Sequence, residues 1–308
     1  MRLVVPSIAL LTAMTVQAQH TYNSPRLQVH HTADKPVDKN TGNIERATKA
    51  FNYGNRFGLT NVALRSTALL PAGRGEVKVE RKQDHIVIQA EFNGLQDATR
   101  FGPEYLTYVL WAITPEGRVR NLGEVSTNDT KSKFSVRIGF DVFGLIVTAE
   151  PYFAVSQPSD VVVLENVFSK DAVPEIEDVE AKYQVLPRGT YTKNVSRSEL
   201  KPIVVDPNTP LDLYEARNAF WIALWAGAEK DAAELFAKAE RSLQKAEAFH
   251  ASRAEAKLVS MAARETVQMA ENARVVAVQH RSENPFAAEG HRAECNSGRN
   301  GRHYVDNE

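Results

Sequence analysis

The stretch that most constrains this chain is Tyr105 to Ile113, YLTYVLWAI, followed by Thr114-Pro-Glu-Gly117. Nine residues are too few for a typical buried helix, and a half-buried strand would alternate apolar with polar. A run that is apolar at nearly every position reads as a strand covered on both faces, in the middle of a sheet. Pro at the second and Gly at the fourth turn position suit a type I turn, so Val119 to Val125 returns as the partner strand.

The flanking sequence alternates. Val77 and Val79, then Ile86, Ile88, Ala90 and Phe92 after a turn at Gln83-Asp84, predict a hairpin. Phe134, Val136 and Ile138 alternate again, and Leu145 to Ala149 and Val161 to Val167 are further apolar segments. About seven short strands separated by turns predict a β-sandwich over residues 73–168.

Beyond residue 208 the period becomes helical. Thr209-Pro-Leu-Asp212 offers a capping Thr, a Pro at the first helical position and an acid at N3. Leu213, Ala216, Phe220, Ala223, Leu224 and Gly227 share one face, with Gly227 placed to end the helix. A second helix carries Ala232, Leu235, Phe236, Ala239, Leu243 and Ala246, and a third Leu258, Ala262, Met269, Ala273 and Val276. Short connections predict antiparallel neighbours. The expected fold is therefore segregated α+β: an antiparallel β-sandwich followed by a three-helix antiparallel, tetratricopeptide-like bundle over 209–281. Residues 19–72 read as a mobile polar arm, 169–208 as an acidic, Pro-containing linker and 282–308 as a disordered tail.

The amino terminus has the pattern of a secretory signal. Arg2 is followed by an uncharged, mostly apolar run from Leu3 to Val16, and Val16-Gln17-Ala18 places small residues where a peptidase reads. Cleavage between Ala18 and Gln19 leaves an exported chain without a transmembrane segment, since a bilayer span needs about 20 apolar residues. Cys295 is the only cysteine, which excludes an intramolecular disulfide. A net charge of -1 lacks the basic excess of a nucleic-acid binder.

The chain carries few signs of chemistry. The chain has no nucleophile elbow, Gly-rich phosphate loop or zinc-binding His/Glu helix motif. Asp38-Lys-Asn40-Thr-Gly42 lacks the closing Glu of a calcium loop. His30-His31, and the set His280, His291, Cys295 and His303, carry zinc donors but sit in polar sequence without a supporting shell. Tyr105, Tyr108 and Trp111 read as core rather than a sugar platform. No carboxylate pair stands on an apolar background of the kind that raises a pKa for acid–base work. An enzyme, a cofactor and a metal site are accordingly not expected. Trp221 and Trp225, one helical turn apart, are the candidate binding residues, as an aromatic groove for a peptide or partner helix; packing between neighbours is the commoner use of such rings.

Four strings carry a family resemblance: YVLWAITPEGRVRNLGEV from Tyr108, FGLIVTAEPYFAVSQPSDVVVLEN from Phe143 to Asn166, ARNAFWIALWAGAEKDAAELFAKAERSLQKAE from Ala216 to Glu247, and SMAARETVQMAENAR from Ser260 to Arg274. Together they resemble the amino-terminal β-domain and helical segment of OmpA-family bacterial envelope proteins, in the same order over roughly residues 75–281. The Tyr-x-Leu-Trp run is also similar to the extracytoplasmic β-domain of some membrane anti-sigma factors. In the OmpA family a peptidoglycan-binding domain follows the helices, with an Asp and an Arg that hold diaminopimelate. Residues 282–308 do not match it, so direct peptidoglycan binding is assigned to no position, and a truncated, frame-shifted or naturally short form is expected.

The resemblance and the leader together imply a non-catalytic scaffold or interaction protein of the cell envelope, periplasmic or associated with the outer membrane, with other envelope proteins as partners. The alternatives are a peptide- or protein-binding module built on the helices and an exported cell-wall hydrolase.

Overall fold

The computed structural model describes residues 43–54, 58–125, 132–167, 178–192, 206 and 208–283. The leader with its Ala18–Gln19 junction, the first part of the expected arm and residues 284–308 lie outside them. Ten strands follow in chain order: β1 Ile44–Asn52, β2 Gly58–Ser66, β3 Arg74–Arg81, β4 Ile86–Asn93, β5 Thr107–Ile113, β6 Val119–Val125, β7 Ser132–Ile138, β8 Val142–Glu150, β9 Val162–Val167 and β10 Asp178–Val185. Four helices come after: α1 Leu211–Trp225, α2 Ala228–Asp231, α3 Ala233–Ala251 and α4 Ala256–Glu283.

The sandwich expectation is overturned. All ten named strands belong to one antiparallel sheet, eight of them paired in the order β6-β5-β8-β9-β2-β3-β4-β7. Since β6 and β7 lie alongside each other, these eight strands curl into a nearly closed barrel instead of splitting into two sheets. The physical reason lies in β5 and β8. Tyr108, Leu110 and Ala112, with Leu145, Val147 and Ala149, point into the barrel core. Val109, Trp111, Ile113 and Ile146 point outward into a second core, shared with the helices. Each face of this central pair needs its own apolar cover, which curling supplies on the inside and helices on the outside.

The three-helix bundle is corrected for the same reason. The helices, α2 included, form a layer on the convex face of the sheet. The buried side of α1 is Leu213, Glu215, Ala216, Asn218, Ala219, Ile222 and Ala223, so the stripe is rotated from the expected one and Phe220 and Leu224 are only half-buried. In α4, Leu258 and Val276 are 41% exposed, while Ala262, Ala263, Ala270, Ala273 and Ala277 are buried. Small residues let that helix approach its neighbours closely, with Val259 and Val267 buried among them, while Leu258, Met261, Val275, Val276 and Val278 turn outward. Gly227 does end α1 in the left-handed conformation. Thr209 does not cap α1; its hydroxyl meets His250 and Asp206 instead.

Strands also appear where an arm and a linker were expected. β1 and β2 fall within 19–72, and β10 within 169–208. β1 pairs along its length with β10 and meets β8 only at Phe51–Phe143 and Asn52–Val142, leaving the rest of that β8 edge to β9. Asn166 fills the resulting fork: its Oδ1 accepts from Leu145 N–H and Thr48 Oγ1, and its Nδ2 donates to Lys49 C=O. A Cβ on Gly144 would stand 2.5 Å from that same carbonyl.

The Thr114–Gly117 turn forms as expected, with Gly117 N–H donating to Thr114 C=O at 2.9 Å. Gly117 has φ +80°, and a Cβ there would lie 2.4 Å from the carbonyl of Lys182 on β10. The turn thus packs directly on the backbone of the outlying ribbon. Gly117→Ala is expected to destabilise the fold by about 2–3 kcal/mol, from left-handed strain plus the clash. Gly189→Ala, at φ +81° with open space around it, should carry only the strain. Urea midpoints of the two variants test the difference.

Candidate functional site

Three polar clusters interrupt the apolar boundary between sheet and helices. The first is centred on Glu271 and Arg274 of α4, which pair within one helical turn at 2.7 and 2.8 Å. Glu271 also accepts from the Tyr152 hydroxyl at 2.7 Å and the Ser156 N–H at 2.8 Å, while Arg274 reaches Ser156 Oγ. Burial pushes the Glu271 carboxyl up, but the Arg274 hydrogen bond and charge, with Tyr152 and Ser156, outweigh it and the pKa ends below the ordinary value. Burial and the negative Glu271 push the Tyr152 hydroxyl well above its usual range. The ion pair therefore pins the loop after β8 to α4. Asn218 on α1 adds a second attachment, donating to the backbone carbonyls of Glu104 and Pro151.

The second cluster is a chain on the convex face of the sheet. Trp111 Nε1–H donates to Thr148 Oγ1 at 2.8 Å, and Thr148 donates to Glu150 Oε1, which also accepts from Ser159 N–H at 2.7 Å. Glu150 Oε2 has no hydrogen-bond partner. The carboxyl is fully buried, and that burial raises its pKa to about 8, against the lowering effect of Thr148 and Ser159.

In the third cluster, β6 supplies Glu124, α1 supplies Asp212 and Glu215, and α4 supplies Arg264. Arg264 Nη1 donates to Glu124 Oε2 and Asp212 Oδ1, both at 2.8 Å, and its guanidinium stacks 3.8 Å over the Phe153 ring. Thr107 Oγ1 orients Glu124 from the other side at 2.9 Å. Glu215 is 0% exposed, and neither of its carboxylate oxygens receives a hydrogen bond from a donor. Burial, then the charges of Glu124 and Asp212, raise its pKa well above the ordinary carboxylate value, with Arg264 opposing. One oxygen from each of Glu124, Asp212 and Glu215 lies within 4.8 Å of the others, the one such group of potential metal donors among the described residues.

The third cluster corrects the expectation that no carboxylate pair stands on an apolar background, since the buried Glu215 lies beside Glu124 and Asp212. Glu150 is a further buried carboxyl, standing alone. The signal for Glu150 was its place at the end of the apolar run Leu145–Ala149. For Glu215 it was the spacing to Asn218, Ala219 and Ile222, three, four and seven residues on, which shares one helical face.

Tyr105, Tyr108 and Trp111 are fully buried, in keeping with a core role. Trp221 and Trp225 come together at 6.5 Å between ring centroids, each half-buried, and Phe220 packs edge-on to Trp221 and stacks on Phe236. His280 lies at the end of α4 beside Asp231, 3.7 Å away; His30, His31, His291, Cys295 and His303 lie outside the described residues. Among the described residues no helix is long and apolar enough to cross a membrane. Comparisons with protein-family models, with curated proteins and with solved structures found no match.

Glu150 makes stability depend on pH with a definite sign. Its folded pKa of about 8 exceeds the ordinary 4.5, so the folded state holds the proton more strongly. Its contribution is complete below the unfolded pKa and falls as pH rises towards the folded one, by up to about 1.4 kcal/mol per unit. Glu150→Gln should flatten this decline relative to the parent when denaturation midpoints are followed from about pH 5 to about pH 8. Parallel curves for the two proteins would refute the assignment.

Proposed function

We propose that this chain is a non-catalytic, exported scaffold of the bacterial cell envelope, in which the barrel and the helical layer act as one rigid body. The observation that supports a scaffold is the use to which buried and half-buried ionisable groups are put. Glu271 and Arg274 join α4 to the loop after β8, and Glu124, Asp212 and Arg264 join β6, α1 and α4. Arg217 and Glu247 join α1 to α3 through two hydrogen bonds of 2.6 and 2.8 Å. Such pairs add little net stability, and fixing register and orientation is the role assigned to them in this reading. Export is supported by Arg2, the Leu3–Val16 run and the Ala18–Gln19 junction, and the envelope setting by the resemblance of residues 75–281 to OmpA-family proteins. On expression in a Gram-negative host, the mature chain is expected in the periplasmic or outer-membrane fraction with Gln19 at its amino terminus. A cytoplasmic product retaining Met1 would refute export.

A second reading is favoured by one observation: Trp221 and Trp225 form a half-exposed aromatic pair on the flank of α1. Aromatic anchors of this kind serve helix-in-groove recognition. The Trp221→Ala, Trp225→Ala double variant separates the roles. Loss of envelope partners in crosslinking with an unchanged thermal melt supports recognition; a collapsed melt assigns both rings to packing.

A further inference from the structure

Arg264 is a cation held by two carboxylates where three converge. Glu124 and Asp212 each receive a hydrogen bond from its Nη1, while Glu215, wholly buried and only one helical turn from Asp212, receives none. A buried carboxyl that no donor reaches is costly once charged, and one of its oxygens lies within 4.8 Å of an oxygen of each neighbour. The groups facing it are Glu124 from β6, Asp212 from α1 and Arg264 from α4, so one guanidinium stands against three acids.

We infer that Glu124, Asp212 and Glu215 form a binding site for a hard divalent cation of the calcium class, with Arg264 as a built-in competitor that withdraws when the ion enters. The donor set is entirely oxygen, which selects calcium, magnesium or manganese over zinc or copper. Two oxygens on one calcium ion stand at most about 5 Å apart, twice a bond of about 2.3–2.6 Å. The 4.8 Å span of the trio falls within that limit. Calcium is favoured over magnesium, because a buried ligand such as Glu215 demands direct coordination and magnesium gives up its water reluctantly. Thr107 presets Glu124 by its hydrogen bond. The entry path is the side on which Arg264 lies: its side chain is 43% exposed and held against Phe153 by stacking, so it can turn to solvent without opening the core. The ion joins β6 to α1 directly, a contact that Arg264 makes from α4 in its absence.

The experiment is calorimetric titration of the chelator-treated mature chain with calcium chloride and, separately, magnesium chloride. Calcium is expected to bind as a single ion, more tightly than magnesium, and to raise the melting temperature. Arg264→Gln removes the competing charge and should bind calcium roughly tenfold or more tightly than the parent. Glu215→Gln keeps the shape of the buried group and should melt like the parent without calcium, while losing roughly tenfold or more in affinity. Asp212→Asn, which keeps the Arg264–Glu124 bond, provides a second ligand deletion and should also weaken binding. No calcium binding by parent and Arg264→Gln alike overturns the site. Equal affinity of Glu215→Gln and parent does so too, by assigning the ion to exposed acids. Neither result bears on export, which rests on the leader, and the scaffold reading keeps the Glu271–Arg274 and Arg217–Glu247 joints whatever the ion does.

Discussion

The constraint on which this structure depends is the double burial of β5 and β8. Every residue of β5 is buried, and so is nearly all of β8. Leaving either face of such a pair in water would expose side chains each worth about 1.5–3 kcal/mol on burial. The inner face is covered when the sheet curls on itself, and the outer face when α1 and α4 lie across it. Barrel and helices are therefore two answers to one requirement, and they share Val109, Trp111, Ile113 and Ile146 as common ground.

The boundary between the layers is where polarity enters. An apolar interface of this extent would tolerate several rotations of the helices about their axes, particularly with alanine-rich stripes that lack large interlocking knobs. Asn218 on two backbone carbonyls, Glu271 on Tyr152 and Ser156, and Arg264 across Glu124 and Asp212 accept only one rotation. Specificity at the boundary thus comes from a few directional bonds laid over a permissive apolar surface.

The legibility of the sequence follows the same division. The β5–β6 turn, the β3–β4 hairpin and the helix end at Gly227 could be read because each depends on local chemistry. Curling could not be read, since a barrel and a sandwich present the same alternation and differ only in whether β6 meets β7. β2 and β10 did carry signals: Thr60, Val62 and Leu64 alternate, as do Ala181, Tyr183 and Val185. In β10 the signal was overlaid by Asp178, Glu180 and Lys182, the exposed positions of that strand, which read as a linker. β1 buries Thr48, Ala50 and Phe51 at one end only, and no window rule isolates it. The face of α3 was legible, with Ala232, Phe236, Ala239, Leu243 and Ala246 all buried. In α1 and α4 the large residues Phe220, Leu224, Leu258 and Val276 suggested the wrong stripe, because alanine marks the close contacts there. The carboxylate site was hidden by its distribution over β6 and α1, with Arg264 from a third element.

The fork at Asn166 bears on how the molecule can be assembled as the chain emerges with its amino terminus first. β1 is the earliest of the described strands and β10 the latest, yet they pair along almost their whole length. An early strand whose main partner lies more than a hundred residues later has nothing to hold it until β8 and then β10 arrive. The barrel strands from β2 to β9 can find one another first, while β1 waits as an unpaired edge. At this edge the earliest strand is thus among the last to be fully paired. The interval in between is when a strand donated by another copy of the chain could take the place of β10.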